Sequence, residues 1–197
     1  MLFNVLVLHP YECDVDPNKE GYDYIFYVLN SDGTSVNLIM DSNINISGNA
    51  VKGEESDLGF VKWYADDRDN SYGPITAMNH LQTATSGWTN TNELTINEFT
   101  DDKGGKHPMK EYVVNARLPY YSEISDYSES TTYLYDYMED AGHQTNIVSG
   151  IYGYWTLSSI ASDSSNAWFV FCDGFVSGNF FLINGSCGAR PVINLTI

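Results

Sequence analysis

Positive charge is what this chain most lacks: nine lysines and arginines stand against 26 aspartates and glutamates, a net charge of −17. So acidic a surface repels phosphate backbones and anionic headgroups, which argues against nucleic acid or a membrane surface as partner. Cysteine is almost as scarce. Cys13, Cys172 and Cys187 are odd in number and badly spaced for a disulfide framework, with one Cys172–Cys187 bridge left open. Long apolar runs are also missing. Met1–Leu8 is short, has no basic flank and no small-residue cleavage site, and runs straight into His9-Pro10. It reads as a first strand, and no segment reaches the length of a membrane span.

Aromatic residues are plentiful, at 14% with 15 tyrosines, while charged residues make up only 18%. That balance belongs to a folded chain rather than a disordered one. Tyrosine gives rigid, amphipathic contact area, useful in sheets and in recognition surfaces alike. A length of 197 residues suits one domain with its own core. No internal repeat or linker divides it, and the reading is a single α+β domain over 1–197, with N-terminal strands and a hairpin in 1–71 and the core in 72–197.

Tyr22–Leu29 and Val36–Asp41 read as strands around an Asn30-Ser31-Asp32-Gly33 turn, with apolar residues on both faces. Ile44–Asp69 reads as loop with at most short strands. Gly73-Pro74 opens a helix whose stripe is Ile75, Met78 and Leu81 beside Ala77 and Ala84, and Gly87 is placed to end it. Thr89–Lys110 alternates short apolar pieces around a Lys103-Gly104-Gly105-Lys106 loop, and Tyr112–Val114 reads as a strand. Pro119 starts a short helix with Glu123 near its positive end, and a further helix fits Thr132–Ala141, stopped by Gly142.

The end of the chain is organised differently. Tyr154-Trp155-Thr156, Asn166-Ala167-Trp168 and Gly188-Ala189-Arg190-Pro191-Val192-Ile193 form a frame around FVFCDGFVSGNFFLINGSC, residues 169–187, which has no clean strand or helix period. The Arg117-Leu118-Pro119 start of a Tyr-Ser-Glu helix, with the terminal Gly188-Ala189-Arg190-Pro191-Val192-Ile193-Asn194-Leu195, resembles proteins of the C-type lectin fold. The branch is the one holding the formylglycine-generating enzyme and the variable proteins of diversity-generating retroelements, phage tropism determinants among them. The resemblance covers roughly residues 72–197. It implies a C-type lectin-like domain with two short helices and mostly antiparallel strands.

In the variable-protein group template adenines are mutated, and asparagine codons become NNC or NNT. Such codons cannot encode Lys, Glu, Gln, Met or Trp. None of the five occurs in 169–187, although they fill 27 of the 197 positions of the chain. The resemblance therefore implies a retroelement-diversified ligand-binding protein, not an enzyme. Its displayed positions would be Tyr154, Asp163, Phe169, Phe171, Cys172, Asp173, Phe175, Ser177, Asn179, Phe180, Leu182, Asn184, Ser186 and Cys187. Trp155, Trp168, Arg117 and Arg190 would be scaffold, the two tryptophans as large buried anchors and Arg190 tying loop carbonyls with its fork of donors. Val170 and Val176 would face inward, Phe169, Phe171 and Phe175 outward, and Phe181 and Ile183 would be buried. The implied partner is a protein or glycan receptor, met at a virion or prokaryotic cell surface, with no membrane insertion, no cofactor and an oligomeric state the sequence does not set.

Other chemistry lacks a carrier. The E-P-N, Q-P-D and W-N-D sugar motifs of animal lectins are absent. Asp66-Asp67-Arg68-Asp69-Asn70 has the oxygens for Ca²⁺ but not the spacing or glycine of an EF-hand, and reads as a solvated acidic loop. Cys172 and Cys187 lack the compact spacing of a copper-binding pair, and none of His9, His80, His107 and His143 is close in sequence as a third ligand. There is no G-x-S-x-G elbow; His80 falls on the polar side of its helix and His107 in a loop before a proline. The alternatives kept open are an enzyme of the formylglycine-generating type and a structural fibre or surface module. The sequons at Asn45, Asn184 and Asn194 matter only in a glycosylating pathway.

Overall fold

An aspartate sets the first hairpin. Asp32 accepts the main-chain N–H groups of Thr34 and Ser35 at 2.8 and 2.7 Å, bonds that hold its carboxyl down at about 2, while Gly33 supplies the positive φ of +87° that closes the turn. The computed structural model describes residues 11–13, 15, 24–51, 59–66, 69–125, 153–171, 176–181 and 187–197, with 11–13 and 179–181 described by backbone alone. The strand expected over Met1–Leu8 and the helix expected over Thr132–Ala141 lie outside these residues.

Strands β1 (Tyr11–Cys13), β2 (Tyr24–Ser31) and β3 (Ser35–Met40) pair antiparallel in sequence order. The chain's last strand, β11 (Val192–Thr196), returns to β3 in register from Val192↔Ile39 to Thr196↔Ser35. Both faces of this four-stranded sheet are packed, as its apolar composition requires. Phe26, Leu38 and Met40 enter the main core, whereas Leu29 and Ile39 enter a second cluster with Tyr154, Val170 and Val192.

The second sheet holds β4 (Phe60–Val61), β5 (Leu94–Asp101), β6 (Lys106–Val114), β7 (Gly153–Ser159), β8 (Asn166–Phe171), β9 (Val176–Phe181) and β10 (Cys187–Gly188). β7 is its centre: β8 pairs it antiparallel, while β10 and β5 pair it parallel at opposite ends. All seven residues of β7 are buried, the expected state of a strand covered on both faces. The two helices among the described residues and the mainly antiparallel strands make the class α+β.

Helix α1 (Ile75–Ala84) buries Ala77, Met78, Leu81 and Ala84 as its spacing predicts. Two expectations fail there. The helix ends at Thr85, whose Oγ1 donates to Leu81 O at 2.7 Å, before Gly87 is reached. His80 is buried rather than on a polar face, because its Nε2 lies 2.9 Å from the carbonyl of Ile44 and needs that partner inside. Thr89–Lys110 also differs: it contributes to one long β5–β6 hairpin with Lys103-Gly104-Gly105 in its turn. Asp101 fastens the turn by accepting from Lys103 N and Gly105 N, each at 2.8 Å. His107 accordingly lies on a strand, 2.9 Å from Asp101 and stacked on Phe99.

Three buried tryptophans, Trp63, Trp88 and Trp155, anchor the main core. Trp63 meets Phe99 edge-on at 6.0 Å, a geometry worth about 0.5–1.5 kcal/mol beyond area burial. No helix among the described residues is long and apolar enough to cross a membrane.

Candidate ligand-facing edge

The site expected near the C terminus centres on β7, β8, β9 and β10, with β9 paired only to β8 among the described strands. Its frame holds itself by main-chain partners. Trp155 Nε1 donates to Val61 O at 2.8 Å, which pins β4 beside β10. Arg190 is fully buried, donates from Nε to the carbonyl of Met40, and lies over the Tyr154 ring at 5.0 Å. Asn43 occupies the space a Cβ would take at Gly188 and donates from Nδ2 to Gly153 O at 3.2 Å, so the glycine that opens the terminal motif admits an amide bridging β10 and β7. Gly153 has φ +151° and lies against the carbonyl of Val170, where no side chain fits.

Arg117 serves the frame from another side. Its guanidinium meets Glu123 as a fork, at 2.7 and 2.6 Å, and also donates to Leu118 O. Burial works against the Glu123 charge, but Arg117, the Tyr120 N–H at 2.8 Å and the Asn30 amide outweigh it, holding the carboxyl below its ordinary value. The helix opens later than expected, at Tyr121 rather than at Pro119, and α2 covers Tyr121–Ser125 among the described residues.

Three residues expected on display are inside. Tyr154 and Cys187 are completely buried, and Phe169 is 4% exposed. Tyr154 is sealed between Arg190 and the second cluster. Phe169 turns into the main core, edge-on to Trp155 at 6.0 Å, because the β7–β8 pairing sets Trp155 opposite it. Cys187 is sealed inside at the start of β10, and Cys172, the other half of the bridge left open, lies outside the described residues. Trp168, expected as a buried anchor, is only half-buried. A bulge in β8 between Ala167 and Phe169 carries it, and its ring meets Tyr121 at 4.2 Å.

Among the described residues, what remains accessible is a narrower strip. Phe171, Val176, Ser177 and Gly178 are half-buried. Val170 is buried as expected, while Val176 is less enclosed than expected. Gly178 lies beneath Ile160, whose Cδ1 would be 2.6 Å from an added Cβ, and close to Trp168. Cys172, Asp173, Phe175, Leu182, Asn184 and Ser186 lie outside the described residues, as do Ile183 and the side chains of Asn179, Phe180 and Phe181.

Asp163 is exposed, but both carboxylate oxygens are engaged, with Ser165 N at 2.9 Å and Asn166 Nδ2 at 2.7 Å. The residue organising this β7–β8 loop is one the sequence reading missed. Asn70 Nδ2 donates to the carbonyls of Ile160, Asp163 and Asn166 at 3.1, 2.8 and 2.9 Å, and its main-chain N–H to Ser164 O. Its only signal was the preceding Asp69, which caps the turn at Ser71 N. Asp69 Oδ1 and Asn70 Nδ2 are thus spent on structure; Asp67 and Arg68 of the same run lie outside the described residues. Among the described residues no three His, Cys, Asp or Glu side chains are grouped to hold a metal ion.

Comparison of the chain with protein-family models, with curated proteins and with solved structures finds no match.

Proposed function

We propose that this protein is a ligand-binding scaffold of the C-type lectin type whose segment 171–186 is open to diversification by a retroelement. One observation carries the reading: the frame is held by bonds to main-chain atoms of residues outside the segment. Trp155 bonds Val61 O, Arg190 bonds Met40 O, Asn43 bonds Gly153 O, and Arg117 exchanges main-chain bonds with Val192. None of these contacts draws on a side chain between 171 and 186, so replacement there leaves these bonds in place.

The displayed set is revised to fit burial. Asp163, Phe171 and Ser177 remain, together with Cys172, Asp173, Phe175, Asn179, Phe180, Leu182, Asn184 and Ser186. Tyr154, Phe169 and Cys187 belong with the scaffold. Recognition rests on a few aromatic anchors, as interfaces generally do, and the partner is a protein or glycan receptor.

The test is a library randomised with NNC codons at 171, 173, 175, 177 and 179. Most members should keep the parental far-ultraviolet spectrum and a cooperative melt. Wholesale loss of folding would make the segment ordinary core and sink the proposal. In the genome, a near-copy of the segment differing at adenines, beside a reverse transcriptase gene, is the corresponding expectation.

A further inference from the structure

A row of side-chain amides crosses three strands of the four-stranded sheet, β2, β3 and β11, and all of them point the same way. Asn92 Nδ2 donates to Asn194 Oδ1 at 2.7 Å, Asn194 Nδ2 to Asn37 Oδ1 at 3.0 Å, Asn37 Nδ2 to Asn30 Oδ1 at 2.6 Å, and Asn30 Nδ2 to Glu123 Oε1 at 3.0 Å. Register produces the row: Asn37 lies directly between Asn30 on β2 and Asn194 on β11.

An amide row is degenerate by itself. Each carboxamide has an acceptor at one end and a donor at the other, so turning every one of them over preserves every bond. The ends decide. At the Asn92 end stands the Thr196 hydroxyl, within 3.0 Å of Asn92 Nδ2 and 3.3 Å of Asn92 Oδ1, and a hydroxyl serves either polarity. At the other end stands Glu123, a carboxylate held charged by Arg117, and an ionised carboxylate only accepts. Asn30 must therefore present its nitrogen, and the choice passes from amide to amide.

We propose that Glu123 is the polarity-setting residue of a two-state amide row, a conformational device tying the terminal strand and the Asn92 loop to the Arg117-Leu118-Pro119 turn. A carboxamide at position 123 would keep its oxygen in the Oε2 place, accepting from Arg117 Nη1 and the Tyr120 N–H, and turn its nitrogen to Asn30 at the loss of the Arg117 Nη2 bond, and the whole row would reverse.

Glu123→Gln tests this directly, since it preserves shape and an acceptor for Arg117. In the wild type, nuclear Overhauser contacts of the Asn30 amide protons should run to Glu123; in E123Q they should run to residue 37. Wild-type contacts to residue 37, or E123Q contacts still at residue 123, overturn the proposal. A thermal cycle adds a second reading. Asn37→Asp alone places an obligate acceptor in mid-row, against the polarity Glu123 imposes, and should melt about 2–4 °C below the wild type. The double variant E123Q/N37D satisfies every member, with residues 123 and 30 reversed and Asn194 and Asn92 still donating toward position 37, so E123Q should offset part of the N37D loss, and should still do so in 0.5 M salt, where plain charge relief is screened. Additive losses at that salt concentration count against the device.

Discussion

Arg117 and Val192 exchange both of their main-chain hydrogen bonds, at 3.0 and 2.8 Å. This joins the Arg117-Leu118-Pro119 turn to the terminal motif, and the turn reaches β7 as well, since Leu157 N donates to Pro119 O at 2.7 Å. Two short motifs far apart in sequence are thus one structural joint between the two sheets. Their co-occurrence has a mechanical reason, whatever the protein binds.

The joint should be costly to break. Arg117→Ala leaves the Glu123 carboxylate enclosed without its cation, and removal of one partner from a buried pair costs about 3–5 kcal/mol. Arg117→Lys should also destabilise, by less, because one ammonium cannot reproduce the fork. Urea melts of R117A, E123A and the double variant check this. The double should lose clearly less than the sum of the singles.

Acid should weaken the fold through the same pair. Glu123 lies below its ordinary 4.5 and Asp101 below its ordinary 3.8, the latter chiefly through its bond to His107 and then Gly105 N–H. A carboxyl with a depressed folded pKa binds its proton more readily when unfolded. Its stabilisation is therefore complete above the ordinary carboxylate range and is lost as pH falls through the folded value. Melting temperature should be level from pH 7 to about 5 and fall below about pH 4. E123Q should lower the plateau and make the acid limb shallower; an unchanged limb would remove Glu123 from the account.

Gly188 is fixed by its neighbour rather than by its backbone. An added methyl would overlap the Asn43 amide, which is itself bonded to Gly153. Gly188→Ala should cost about 1–3 kcal/mol, the usual range for overpacking. Asn43→Ala in the same chain makes room and should return part of that loss, measured by equilibrium denaturation. No recovery would mean that the backbone of β10, not the side chain of Asn43, demands the glycine.

Much of the frame could be read from residue types, because its signals are local. Asp32-Gly33 announces a turn, the spacing of Ala77, Met78, Leu81 and Ala84 announces a helix, and Trp155 and Arg190 are costly residues that a sequence keeps for a purpose. What escaped is non-local. In β5 a bulge between Ile96 and Glu98 breaks the alternation that would mark a strand, and β6 carries Lys106, Pro108 and Lys110, guards of an edge strand that look like loop. Inside against outside at 154 and 169 depends on β7 being covered on both faces, which no single segment reveals. The missing Lys, Glu, Gln, Met and Trp do not separate the two states either, for residues 188–197 lack all five and 188–193 are buried.

Phe169 and Phe171 give the sharpest contrast on one strand. Phe169 is enclosed against Trp155, and Phe→Ala at such a position costs about 3–5 kcal/mol. Phe171, two residues on, is half-buried at the edge of both apolar clusters and meets Phe169 edge-on at 6.1 Å. Phe171→Ser should therefore cost well under half as much as Phe169→Ala and leave a cooperative transition. Parallel denaturant melts of the two variants decide it. Equal losses would mean that Phe171 is structural too, and the permissive strip would then have to begin at or beyond Cys172; a small loss at Phe169 would show that the Trp155 contact contributes little and that the frame is looser than its burial indicates.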